Sequence, residues 1–151
     1  MLFQRVNRSN PERIFIIAKN SYSTASLSNG QSVIWDFATD ADGVGVTRPS
    51  ARATNAGIAM AGVAAETIAA GDYVLLQVYG YHSAVRQRSD TSGVNLLVPG
   101  APIGLNSAGS VFCLEALSTG AAVILTYPCG FSLVSSAVWT TVASPAFLKC
   151  L

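Results

Sequence analysis

A chain of 151 residues, 50% apolar and only 11% charged, fits one domain with enough length to bury a hydrophobic core. So little charge on so apolar a chain excludes disorder, which needs the reverse balance. The formal net charge of +1 supplies no global field for nucleic acid or acidic lipid, so no specific nucleic-acid binding is expected.

Residues 1–11 are polar, carry Arg5 and Arg8, and end at Pro11. They lack the apolar core of roughly 7–15 residues that a signal peptide needs. They read as an N-terminal arm that orders on binding, ahead of a single β domain over 12–151. Alternating or short apolar runs then predict strands over Arg13 to Ala18, Ser32 to Phe37, Gly57 to Val63, Tyr73 to Gly80 and Ser83 to Arg88. Further runs follow over Val94 to Val98, Val111 to Leu117, Ala121 to Tyr127, Ala137 to Val142 and Ala146 to Cys150. Turn formers such as Asn29-Gly30, Gly71-Asp72, Ser92-Gly93 and Pro128-Cys129-Gly130 separate them. The segment Asp40 to Val46 reads as an exposed loop. Ala51 to Ala70 has room for one short helix, but Gly57 and Gly62 break it. The fold class expected is all-β, a compact β-sandwich or β-barrel with at most one short helix.

The stretch from Gly57 to Tyr81 is the most informative. A small-residue apolar run meets a Gly71-Asp72 turn and continues as a strand with Tyr73, Leu75, Gln77, Tyr79 and Tyr81 on one face. Val74, Leu76 and Val78 take the other. The order "GIAMAGVAAETIAAGDYVLLQVYGY", the later return "VPGAPIGL" and the short terminal strand Ala146 to Leu151 resemble capsid decoration (cement) proteins of tailed double-stranded DNA bacteriophages. The resemblance covers about the middle third of the chain plus its tail. It implies a noncatalytic protein, made in the host cytoplasm, that sits on the virion capsid surface. Its partner would be the major capsid protein, and it would form homo-oligomers, often trimers.

Charge is unevenly spread: beyond Asp90 only Glu115 and Lys149 carry any, and none lies between Ala116 and Leu148. A membrane-spanning helix needs about 20 apolar residues, and Gly120, Pro128, Gly130 and Pro145 interrupt this stretch. It reads as surface covered by the fold itself or by partner subunits, with no membrane role. The terminal strand could pair with a sheet edge of its own subunit or of a neighbour. Phe147 and Lys149 would then face one way, Leu148 and Cys150 the other.

No catalytic, metal or cofactor site emerges. Cys113, Cys129 and Cys150 have no CxxC spacing and read as buried free thiols. His82 stands alone beside Tyr81, without a triad partner in sequence, and reads as a surface or interface histidine. Asp40 and Asp42 begin like a calcium loop, but Val44 and Ala51 occupy later ligand positions, so a solvated turn is expected. Seven of the nine cations are arginines, the residue suited to bidentate carboxylate pairing at interfaces. The candidate interface residues are therefore Arg5, Arg8, Arg86 and Arg88, with the apolar anchors Trp139, Phe147 and Leu148. Tyr73, Tyr79, Tyr81, Trp35 and Trp139 also permit a second reading, a carbohydrate-binding β-module displayed on a virion or fibre.

Overall fold

The computed structural model describes residues 12–22, 25–40, 43–49, 60–89, 96–105, 114–116, 128–136 and 140–150. These form nine strands and no helix: β1 (Arg13–Asn20), β2 (Ser32–Trp35), β3 (Gly45–Thr47), β4 (Met60–Ala64), β5 (Tyr73–Arg88), β6 (Pro102–Leu105), β7 (Leu114–Ala116), β8 (Gly130–Ser132) and β9 (Val142–Lys149). The all-β expectation holds.

The strand order is β1-β3-β2-β4-β5-β7-β6-β8-β9, and β5 also pairs with β1 and with β9. The pairing therefore closes twice, giving two five-stranded rings that share β5. The first half of β5 runs antiparallel to β1 from Tyr73↔Lys19 to Gly80↔Arg13. Its second half runs antiparallel to β9 from Tyr79↔Lys149 to Gln87↔Val142. Tyr79 and Gly80 are thus paired on both edges at once. Each ring has its own core. Val33, Val46, Ala61, Val74 and Leu76 fill the first; Val63, Val85, Ile103, Leu114 and Leu148 belong to the second.

β4 explains why its sequence lacks alternation. All five of its residues are buried, because Ala61 and Ala64 face the first core while Met60 and Val63 face the second. A strand covered on both faces reads as a continuous apolar run. In β5 the shared role demands bends, and two register shifts supply them, at Ile14/Phe15 opposite β1 and at His82/Val85 opposite β9. Pro145 falls in the second shift, where no ladder N–H is required, so β9 can carry a proline.

Several elements differ from the sequence reading. The two strands expected at Tyr73 to Gly80 and Ser83 to Arg88 are one 16-residue strand, since β9 begins its pairing before β1 ends. The loop expected over Asp40 to Val46 contains the start of β3, whose Val46 is fully buried. It is held by β1 on one side and β2 on the other. The turn expected at Pro128-Cys129-Gly130 leads into β8, β6 is a strand that the periodicity does not predict, and β9 starts at Val142 rather than Ala146. Leu97 makes an isolated bridge to Ser136 in place of a strand over Val94 to Val98. Part of the expected short helix, 60–64, is strand. The strand expected over 121–127, the arm 1–11 and residues 51–59 and 137–139 lie outside the described residues.

Two substitutions test this architecture. Gly80 adopts φ +97°, and a Cβ there would lie 1.9 Å from the carbonyl oxygen of Glu12. Gly71 has a similar φ of +86° but open space around it. Gly80→Ala should therefore cost about 3 kcal/mol or more, against roughly 1–2 kcal/mol for Gly71→Ala, measured by denaturant unfolding. Leu148 is 0% exposed and paired on both edges, to Gly80 and to Gly130. Leu148→Ala should lower stability by about 2–5 kcal/mol in the same assay, and deleting 146–151 should do more, because it also removes the ladder that closes the second ring.

Candidate interface on the shared strand

β5 presents two outward patches on opposite faces, because the register shift at Ile14/Phe15 inserts one residue between Gln77 and Tyr79. Directly opposed residues share a face, so Tyr73 (62% exposed) lies beside Lys19, and Leu75 beside Ile17 (70% exposed). Past the shift and on the other face, the outside of the second ring, Tyr79 opposes Lys149, and Tyr81 opposes Phe147. Phe147 meets Tyr79 edge-on, with centroids 5.2 Å apart and planes at 81°. The row continues across the second ring through Phe147↔Phe131 and Phe131↔Pro102. The Arg13 guanidinium sits 5.9 Å from the Tyr81 ring centroid, a cation–π arrangement.

Gln77 shares the face of Tyr73 and Leu75, opposing Phe15 on β1 and Val63 on β4, but at that point the face is covered by the second core. It is buried, and its Nε2 donates to the carbonyls of Tyr79 at 3.1 Å and Tyr81 at 3.0 Å. These bonds brace the backbone that presents the two tyrosines. A second buried amide, Gln87, donates to the carbonyls of Ser144 at 3.1 Å and Pro145 at 3.0 Å. It stitches β5 to β9 where the ladder is interrupted.

The expected interface residues divide. Phe147 lies half-buried on the outer face, and Arg86 is also half-buried. Arg88 is 8% exposed, because β5 is covered there by β7 and β9. Leu148 faces the second core, so it anchors the fold and offers no side chain to a partner. Arg5, Arg8 and Trp139 lie outside the described residues. Elsewhere Arg48 stacks 5.2 Å from the Tyr22 ring centroid, and Trp35 packs against the first core. The sequence reading missed Lys19 and Lys149 as surface partners of Tyr73 and Tyr79, Ile17 as that of Leu75, and Phe131 as that of Phe147. Their signal lay in strand alternation, but only the register shows which residues meet.

The titratable groups are used by the fold. His82 is 6% exposed, correcting the surface position expected. Its Nδ1 accepts the Ala84 N–H at 3.1 Å, which assigns the proton to Nε2. Burial lowers its pKa below the ordinary 6.5; a hydrogen bond to the Ala64 backbone opposes this and the Arg13 charge adds to it. Cys129 is buried and Cys150 partly so, both as thiols rather than disulfide halves. Burial pushes the Cys129 thiol up to about 12, against an opposing backbone hydrogen bond at Leu105. Burial raises Cys150 as well, with neighbouring Cys129 adding to it. Such thiols are poor nucleophiles. Asp36 accepts hydrogen bonds from the Thr39 N–H and hydroxyl, capping its turn. Among the described residues, no three His, Cys, Asp or Glu side chains group as a metal site. Asp42 and Cys113 lie outside them.

No protein-family model matches the chain, and no curated protein matches it in sequence. Among solved structures, the head fiber gp8.5 N base of bacteriophage phi29 is similar at 8% identity and a TM-score of 0.49. The match covers 92% of this chain and 96% of that one. At that score and identity the likeness assigns neither fold nor function.

His82 generates a pH prediction. Because its folded pKa is lowered, its neutral form stabilises the fold fully above the unfolded value of 6.5. Below that value the unfolded chain binds a proton that the folded chain resists, and stability falls until the folded pKa is passed. Urea unfolding at pH 7.5 and 5.5 should show a loss of up to about 1.4 kcal/mol. In His82→Gln this slope should flatten, whatever that variant's absolute stability.

Proposed function

We propose that the chain is a noncatalytic structural virion protein that binds an assembled phage capsid and reinforces it as a decoration protein on the capsid surface. The observation that carries this reading is the aromatic row on the outside of the second ring, Tyr79, Tyr81, Phe147 and Phe131 beside Lys149, based on a strand locked into two rings. A rigid sheet face of this kind meets a partner without first ordering itself, which removes a large cost of association. The decoration-protein resemblance points the same way. Residues 60–81 of its hairpin-like segment hold β4 and the first half of β5, the strand from which Tyr79 and Tyr81 project. The chain's one histidine and two of its thiols are absorbed by packing, which leaves them to structure rather than chemistry.

The partner in this reading is the major capsid protein, and the protein works as a homo-oligomer, a trimer at a lattice axis. Capsids purified from the phage that encodes the chain should pellet it saturably and should resist heating better when decorated. Failure to cosediment at micromolar concentration would overturn the reading. Multi-angle light scattering should give a trimer mass, and a monomer at those concentrations would remove the oligomer from the proposal.

A further inference from the structure

The two rings follow one plan used twice. The first runs β1-β3-β2-β4-β5 and is closed by β1–β5; the second runs β5-β7-β6-β8-β9 and is closed by β5–β9. The pairs β1–β3 and β5–β7 are parallel, and all others are antiparallel. The match extends to single bonds. Gly30 N–H donates to the Ala64 carbonyl, and Ala64 N–H donates to that of Gln31; Gly100 and Ser132 repeat this with Ala101. The isolated bridges Leu27↔Ile68 and Leu97↔Ser136 fall at the same offsets from these bonds. The buried residues Leu27, Val33 and Val46 thereby correspond to Leu97, Ile103 and Leu114.

The aromatic row therefore has a counterpart. Phe15, Gln77, Val63 and Ser32 cross the first ring in register. Tyr81, Phe147, Phe131 and Pro102 cross the second at the equivalent places. In the first ring Gln77, Val63 and Ser32 point away from that ring's core yet are buried, because the second ring packs there and takes Val63 into its own core. In the second ring the same three places carry two phenylalanines and a proline, and Phe131 is 40% exposed. We propose that this row seats a further ring, the first ring of a second copy of this chain. Copies then join head to tail, across the face by which the two rings already meet within one chain.

Charge favours this occupant. Among the described residues up to Tyr79, Glu12, Asp36, Asp40, Glu66 and Asp72 stand against Arg13, Lys19 and Arg48, an excess of two acids. From Gly80 onward Arg86, Arg88 and Lys149 stand against Glu115, an excess of two cations. A basic second ring attracts an acidic first ring, whereas two second rings placed row to row would bring like charges together. A sugar fits the row less well. Phe147 meets Tyr79 edge-on, with planes at 81°, so the two side chains share no plane for a pyranose to stack on. A head-to-tail contact closes into a circle of copies when its rotation permits. The inference thus rests on the reading above for its homo-oligomer alone, and gives that oligomer its contact face.

The test uses the full chain. Phe131→Glu sets a charge in the middle of the row, and Phe131→Ser removes the phenyl group. Phe37→Glu makes the first change at another exposed phenylalanine, in the turn after β2. Circular dichroism and melting check that each variant is folded. Wild-type protein should be oligomeric by multi-angle light scattering. Both Phe131 variants should weaken association about tenfold or more and Phe37→Glu by less than about twofold, with added salt weakening the wild type. Mixed with wild type, Phe131→Glu should join its copies at one end and lower the mean mass, since its own first ring is intact. The proposal is overturned by a monomeric wild type, by association indifferent to both Phe131 variants or lost equally in Phe37→Glu, or by a variant that never joins wild-type copies. Cosedimentation with purified capsids separates the two readings. Capsid binding by a monomeric wild type leaves the decoration role standing and sinks the row contact. Row-dependent oligomers that fail to bind capsids do the reverse.

Discussion

Every backbone polar group of a buried strand has to find a partner, and in this molecule that requirement converges on β5. Its first half is satisfied by β1 and β4, its second by β9 and β7, and around Tyr79 and Gly80 both sets overlap. Two rings can share one strand only if that strand bends between them. The bends come from two register shifts and from a glycine whose backbone no other residue adopts easily. Gly80 also lets the Glu12 carbonyl approach to a distance that excludes any side chain.

The polar groups buried near the bends follow from the same constraint. Where a ladder is interrupted, carbonyls need donors, and Gln77 and Gln87 supply them from the strand itself. His82 does the complementary work, accepting from Ala84 at the second shift. A buried amide or imidazole is favourable only when it is matched in this way. These side chains therefore belong to the architecture, and the outward tyrosines inherit their rigidity from them.

Much of this is legible in the chain. Alternation locates β1, β2 and β5, and the small apolar run locates β4. Period two also groups Tyr73 with Leu75 and Tyr79 with Tyr81, but the residue inserted between Gln77 and Tyr79 puts the two pairs on opposite faces. What escapes has physical causes. Three-residue strands such as β3 and β8 carry too few alternations to stand out, and their order comes from neighbours on either side. Alternation places Gln77 outward because a sequence does not reveal that the face of Tyr73 and Leu75 becomes the lining of the second core at Gln77, opposite Val63. Leu148 reads as a contact residue because a charge-free tail looks alike whether its own sheet or another subunit covers it. Lys19 draws no attention, and Lys149 only as the strand companion of Phe147, for a different reason. A lone lysine gains meaning only when the register sets it against an aromatic ring.

The double closure also bears on how the chain comes together during synthesis. All five strands of the first ring lie between Arg13 and Arg88, so that ring can close while β6 to β9 are still unmade. The second ring waits for β9, the last of the nine strands, whose partners on β5 lie about 55–70 residues earlier. Until it arrives, the distal half of β5 exposes a backbone edge and half of an apolar core. Pairing over such distances is slow because the loop must be closed before any contact rewards it. An early ring that fixes the near half of β5 in place shortens that search, giving β9 a formed template to find.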